Sequence, residues 1–153
     1  GDHWRIDERI VPPYSNAPII RVVRGAQAGE FGAGFFTAKY VVTPQADRMG
    51  VRLRGTALAR GARNELMSSA VLPGTVQVPP DGQPIVLLAD AQTLGGYPQL
   101  AHVIAVDLPL IAQLRPGDAV RFREVSLEEA QEHARVREHA LAMLREGLAR
   151  KLM

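Results

Sequence analysis

Apolar positions along this chain recur at two spacings. Over residues 18–125 they fall in short runs, several alternating with polar residues, most of them closed by Gly, Pro or Asp. From Ser126 onward they return every three to four residues. The first pattern predicts strands over residues 18–23, 36–43, 50–55, 75–78, 84–89, 101–106 and 119–125. In the 50–55 segment apolar residues alternate with arginine, so Val51 and Leu53 face a core while Arg52 and Arg54 face outward. The 84–89 segment is continuously apolar, as in a strand covered on both faces. Pro79-Pro80-Asp81-Gly82 reverses the chain, with Pro80 presetting φ and Gly82 accepting a positive φ. Residues 56–69 carry little strand signal and read as an irregular excursion. Residues 107–114 read as a short helix with Asp107 as candidate N-cap. Ser126-Leu127-Glu128-Glu129 is a capping box opening a helix to about Arg150, with Val136, Ala140, Met143, Leu144 and Leu148 as its apolar stripe. These elements argue an arm over residues 1–17, a mainly β barrel or sandwich over 18–125 and a C-terminal helix over 126–153.

Composition narrows the function classes. A chain of 153 residues buries roughly 70% of its unfolded surface, enough for a core without disulfides or metals. The absence of cysteine excludes a disulfide framework, a zinc–cysteine site and thiol catalysis, and agrees with a cytoplasmic protein. The net charge of +2 is spread out, with five basic and five acidic residues from Ser126 onward. Only Lys39 and Lys151 are lysines, no basic stripe exists and aromatics are 5% of the chain, which argues against nucleic acid as a partner. No apolar stretch approaches the roughly 20 residues of a membrane span. The start, Gly1-Asp2-His3-Trp4-Arg5, has no signal-like apolar core and no initiator Met, as expected of a processed chain or a piece of a longer one.

Several chemistries fall away on motif grounds. There is no Gly-x-Ser-x-Gly elbow, and Ser15, Ser68, Ser69 and Ser126 have no activating context. His3, His102, His133 and His139 include no i,i+4 pair, so no metal site is expected. The glycine-rich segment from Gly25 to Gly34 lacks the Gly-Lys-Ser/Thr of a phosphate loop and reads as a mobile loop. What remains is a polar set at the ends of the central strands: Arg48, Gln77, Asp81, Gln83, Asp90, Gln92, Thr93 and Tyr97. A carboxylate at a strand end, such as Asp90, can take a proton or orient a substrate N–H, and it can equally shape its own turn. Gln77 and Gln92 can each donate to and accept from an amide, which suits a lactam or ureido ligand. Gly95 and Gly96 permit close backbone approach. Asp81 reads as a turn residue, Tyr97 as either a site wall or core, and Arg48 as a side chain able to reach over a barrel mouth.

The run PGTVQVPPDGQPIVLLADAQTLGGYP, preceded by Asp47-Arg48-Met49-Gly50 and Val51-Arg52-Leu53-Arg54-Gly55, resembles the carboxyltransferase (allophanate hydrolase subunit 2) family from about Ile19 to Gln131. The resemblance implies a cyclophilin-like β-barrel, the second of the tandem pair such proteins carry. It further implies a place in the C subunit of an ATP-dependent 5-oxoprolinase, which opens 5-oxo-L-proline to L-glutamate. The partners implied are the N-terminal barrel of the same parent protein and a protein like the 5-oxoprolinase B subunit (allophanate hydrolase subunit 1-like). It moves Asp90 and Arg48 toward catalysis, and Gln92, Thr93, Gly95, Gly96 and Tyr97 toward substrate binding, beside Gln77 and Gln83. Two alternatives stand beside it: biotin-dependent carboxyl transfer to urea or a similar amide, and a non-catalytic partner-binding role like that of a kinase-inhibitor antagonist. Ala46, Ala91 and Leu94 depart from the family wording and bear on the substrate. A half-barrel pair and an unassigned apolar stripe leave a homodimer open.

Overall fold

The computed structural model describes residues 13–152. Seven strands close into a barrel in the order β1-β8-β5-β6-β3-β2-β9: β1 (Ile19–Arg24), β8 (Gln99–Val103), β5 (Thr75–Gln77), β6 (Ile85–Leu87), β3 (Gly50–Arg54), β2 (Lys39–Val42) and β9 (Ala119–Glu124). Neighbours pair antiparallel except at the closure, where β9 runs parallel to β1 with Ile20 opposite Phe122. A separate two-stranded ribbon, β4 (Ser69–Ala70) with β7 (Leu94–Gly95), lies outside the barrel. Among the described residues no helix is long and apolar enough to cross a membrane.

The register decides which side chains fill the barrel. Val51, Val86 and Val76 sit opposite one another across β3, β6 and β5. All three are buried with Ile20, Val22, Leu53, Leu100 and Val120. Because strand side chains alternate faces, the next row, Arg52, Ile85 and Gln77, points to the outer wall. The outward reading of Arg52 and Arg54 therefore holds. So does the two-sided cover of β6, since Ile85 is 9% exposed on the outer face and Val86 is fully buried inside.

Three local expectations are corrected by tertiary contacts. The segment expected to be strand from Phe36 begins instead as a one-turn helix, α1 (Gly34–Thr37), and β2 starts only at Lys39. A strand would send Phe35 and Phe36 to opposite faces. The turn instead holds them edge to face at 5.2 Å and stacks buried Phe35 on Phe122 at 4.4 Å. Tyr40 completes the cluster, and burial pushes its phenol up to about 12. Asp107 is not a side-chain cap for α2 (Leu108–Ala112). Its carboxylate accepts from the Arg21 backbone N–H at 2.8 Å and from the Arg21 guanidinium at 2.9 and 2.6 Å. The segment read as a mobile loop contains a 3-10 turn with buried Ala28 and Phe31 beside it. It is tied to β8 by Gln27 N–H to Gln99 O at 2.9 Å and by Gln99 N–H to Gln27 Oε1 at 2.8 Å.

The expected turn is present. Gly82 has φ 75°, its N–H donates to Pro79 O at 2.9 Å, and Asp81 Oδ1 accepts from Gln83 N–H at 3.0 Å. The tail helix α3 (Leu127–Leu152) starts as expected at Ser126, whose hydroxyl accepts from Glu129 N–H at 3.0 Å. The Glu129 carboxylate lies 3.5 Å from His133 and 3.9 Å from Arg123. Arg21 Nη1 donates to His133 Nε2 at 2.9 Å, which fastens the helix to the barrel. Along the apolar stripe Ala140 is buried, Val136 and Leu144 are half-buried, and Met143 and Leu148 are exposed. Residues 1–12 of the expected arm lie outside the described residues.

Acid weakens this fold at one identifiable point. His102, opposite Thr75 and 3.3 Å from its hydroxyl, has its pKa lowered by burial. The folded state then binds fewer protons there than the unfolded chain, so stability falls as pH drops below the unfolded value near 6.5. His102→Gln should reduce the acid-side slope of the unfolding free energy against pH, read from urea titrations, by no more than about 1.4 kcal/mol per pH unit. An unchanged slope contradicts this.

Candidate functional site

The outward row Gln77–Ile85–Arg52 becomes the floor of a cleft because the β4–β7 ribbon and the segment around Gly96 lie over it. The cleft holds about 400 Å³. Gln77, Ile85, Arg52 and Leu87 form its floor, and Gln92, Leu94, Gly95, Gly96 and Tyr97 line one side. Asp47, Met49 and Ser68 complete the rim. Gln99 braces the ribbon, its Nε2 donating to Ser69 Oγ at 3.1 Å and to Ala70 O at 3.2 Å.

Gln77 is the unusual member. It is 6% exposed, and its Nε2 is buried without a hydrogen-bond partner among the described residues. An unsatisfied buried donor costs about 1–3 kcal/mol, which a hydrogen-bonding partner offsets. The backbone of Gly95 passes directly over this amide, and a Cβ at that position would overlap Gln77 Nε2. The glycine thus lets the ribbon backbone pack directly on the Gln77 amide. Gly95→Ala should displace the amide and lower ligand affinity about tenfold, an effect near 1.4 kcal/mol, while the melting temperature changes little. Binding measured by calorimetry on the full-length protein checks this, and unchanged affinity contradicts it.

Arg52 reads from sequence only as an outward strand residue. Among the described residues it has no carboxylate partner, and it lies in the cleft floor with Ile85 between it and Gln77. Asp47, the cleft's carboxylate, already accepts from Met49 N–H at 2.8 Å and Gly50 N–H at 3.3 Å. Alternation could have found Arg52. Nothing in the sequence of a two-residue strand could have revealed the roof above it.

The remaining candidates lie elsewhere. Arg48 and Asp90 are 93% and 61% exposed in their side chains and 3.8 Å apart. They edge a second groove of about 740 Å³ at the barrel mouth, walled by Val51, Leu88, Leu108 and Leu114. Arg48 does reach over a mouth, but the two residues do not join the Gln77 cleft; only Asp47 borders both. Gln83 bridges Gly55, accepting from its N–H at 2.9 Å and donating to its carbonyl at 3.1 Å. Thr93 is exposed, and its carbonyl accepts from Val71 N–H at 3.0 Å. Tyr97, 46% exposed, is a wall rather than core.

Comparison with known proteins gives four findings. Residues 2–124 match the family described as carboxyltransferase domain, subdomain A and B. The 5-oxoprolinase C subunit of Haemophilus influenzae is 41% identical over 135 residues, which is 84% of this chain and 44% of that protein. A urea amidolyase of Lachancea kluyveri is 27% identical over 123 residues, 74% of this chain and 7% of that protein. The crystal structure of Kluyveromyces lactis urea carboxylase superposes with a TM-score of 0.81 at 22% identity, over 88% of this chain and 13% of that one, a likeness of fold. The chain spans less than half the length of these relatives.

Proposed function

Because the chain belongs to the carboxyltransferase-domain family, subdomains A and B, we propose that it is the C-terminal half of the C subunit of a 5-oxoprolinase-like complex. In this reading the complex opens 5-oxoproline to glutamate at the expense of ATP, with a partner like the 5-oxoprolinase B subunit, and this half binds the lactam. The observation that carries the reading is the buried Gln77 amide, without a partner among the described residues, in a cleft with an arginine that has no carboxylate partner among them. A site built to hydrogen-bond an amide carries an unmet donor of this kind, which binding relieves. A lactam carbonyl resists attack until charge can build on its oxygen, and a preorganised donor stabilises that charge.

The nucleotide is assigned to the complex. In this chain the glycine-rich segment leads into the four-residue α1, has no lysine and is packed against β8. Biotin belongs to the alternative, carboxyl transfer to an amide, which the similarity to a urea amidolyase favours.

The test is 5-oxoproline-dependent phosphate release from ATP by the full-length parent protein reconstituted with its partner like the 5-oxoprolinase B subunit. Turnover that disappears when the parent protein is omitted supports the reading. Turnover that is absent, or indifferent to the omission, sinks it, and biotin-dependent carboxylation of urea is then the assay to run.

A further inference from the structure

We infer that Arg52 is the carboxylate-binding, specificity-determining residue of the cleft, and that the ligand it selects is a compact lactam or amide bearing a carboxylate. The inference rests on the function proposed above and extends it to how the substrate lies.

The strand register sets the geometry. Gln77 and Arg52 are both opposite Ile85, on its two sides, and all three side chains point to the outer wall. Two strand spacings separate the backbones of Gln77 and Arg52 by about 9.6 Å. A ligand between them meets an amide donor at one end, an apolar floor at Ile85 in the middle and a guanidinium at the other end. A five-membered lactam carboxylate has the same order of groups: ring carbonyl, methylenes, carboxylate.

Charge points the same way. Arg52 has no carboxylate partner among the described residues, and the carboxylate on the rim, Asp47, is engaged by the amides of Met49 and Gly50. A solvated strand arginine needs no explanation by itself. One sharing a cleft floor with a nine-tenths-buried amide that lacks a partner among the described residues does. Guanidinium is also the group whose fork matches a carboxylate bidentately, in contrast to a lysine ammonium. The Gln77 amide is covered by Gly95, so the ribbon must yield before a ligand carbonyl can reach it. That ribbon is held by two residue pairs, Ser69 with Gly95 and Ala70 with Leu94. Arg54, on the same face but bordering only the neighbouring depression, has no such role.

The experiment uses the reconstituted full-length complex and reads KM and kcat for 5-oxoproline separately in Arg52→Gln, Arg52→Lys and Arg54→Gln. Arg52→Gln should raise KM about 10- to 100-fold, as loss of a charge-assisted hydrogen bond does, with kcat little changed. Arg52→Lys should recover part of the loss, and Arg54→Gln should behave as wild type. A KM within about twofold of wild type in Arg52→Gln overturns the assignment. So does an equal loss in the Gln and Lys variants, which marks a merely structural role. Absence of turnover in the wild-type complex is a different result: it removes the proposed function, and this substrate with it.

Discussion

Gln77→Met should cut 5-oxoproline turnover of the reconstituted complex about a hundredfold and, in the same protein, leave the fold as stable as before or more so. The two halves of this result have one cause. Gln77 lies in the floor of the wall cleft, nearly fully buried, and its Nε2 has no partner among the described residues. Methionine keeps the length and volume of the side chain while deleting the unmet donor, which removes a penalty of about 1–3 kcal/mol from the folded state. Loss of a single donor to a carbonyl oxygen that gains charge costs roughly 10²–10³ in rate. A residue kept for packing would show the opposite pattern, with stability lost and turnover following it. Steady-state kinetics and a thermal melt on the same preparation decide the matter. A destabilised variant with proportionate activity contradicts the role given to Gln77.

Asp107→Ala should be the most damaging single change to stability, at about 3–5 kcal/mol, the range for breaking a buried ion pair from one side. The Asp107 side chain is 2% exposed, and it takes both the backbone N–H and the guanidinium of Arg21. That hydrogen bond is the main reason the Arg21 pKa is raised, burial opposing it. Alanine leaves a part-buried guanidinium and a backbone N–H without their acceptor. The damage should spread to α3, because Arg21 also holds His133. Urea unfolding gives the loss in stability, and limited proteolysis should show earlier cutting within residues 127–152. Combining Asp107→Ala with Arg21→Met should recover part of the loss, since removing both charges deletes the desolvation cost along with the attraction. A double variant no better than Asp107→Ala contradicts that explanation.

Much of the barrel is legible because its strands alternate. Val51 and Leu53 are written as inward positions, and Arg52 and Arg54 as outward ones, before any contact is known. The misread places are those where a distant partner outweighs the local preference. Phe35 and Phe36 have strand propensity, but Phe35 meets Phe122 on β9 and the chain turns there to make the contact. Asp107 has the credentials of an N-cap and is claimed by an arginine 86 residues away.

The site divides in the same manner. Gln77, Gln92, Gly95, Gly96 and Tyr97 are identifiable as polar or flexible residues near strand ends, and the fold gathers all five in one cleft. Arg48 and Asp90 come from the same stretches of sequence, yet they edge the mouth instead. Sequence places residues along a strand but not on one side or the other of the loop that follows it. The two-residue ribbon that turns an outer wall into a cleft has no periodicity to detect.

Hydrogen–deuterium exchange on the reconstituted full-length complex, with and without 5-oxoproline, locates the ligand without substituting any residue. Binding in the wall cleft requires added protection over residues 68–77 and 92–97, the floor and roof around Gln77. Protection confined to residues 46–48, 88–90 and 105–114, the barrel mouth, or protection nowhere in this chain, contradicts a ligand site on the outer wall.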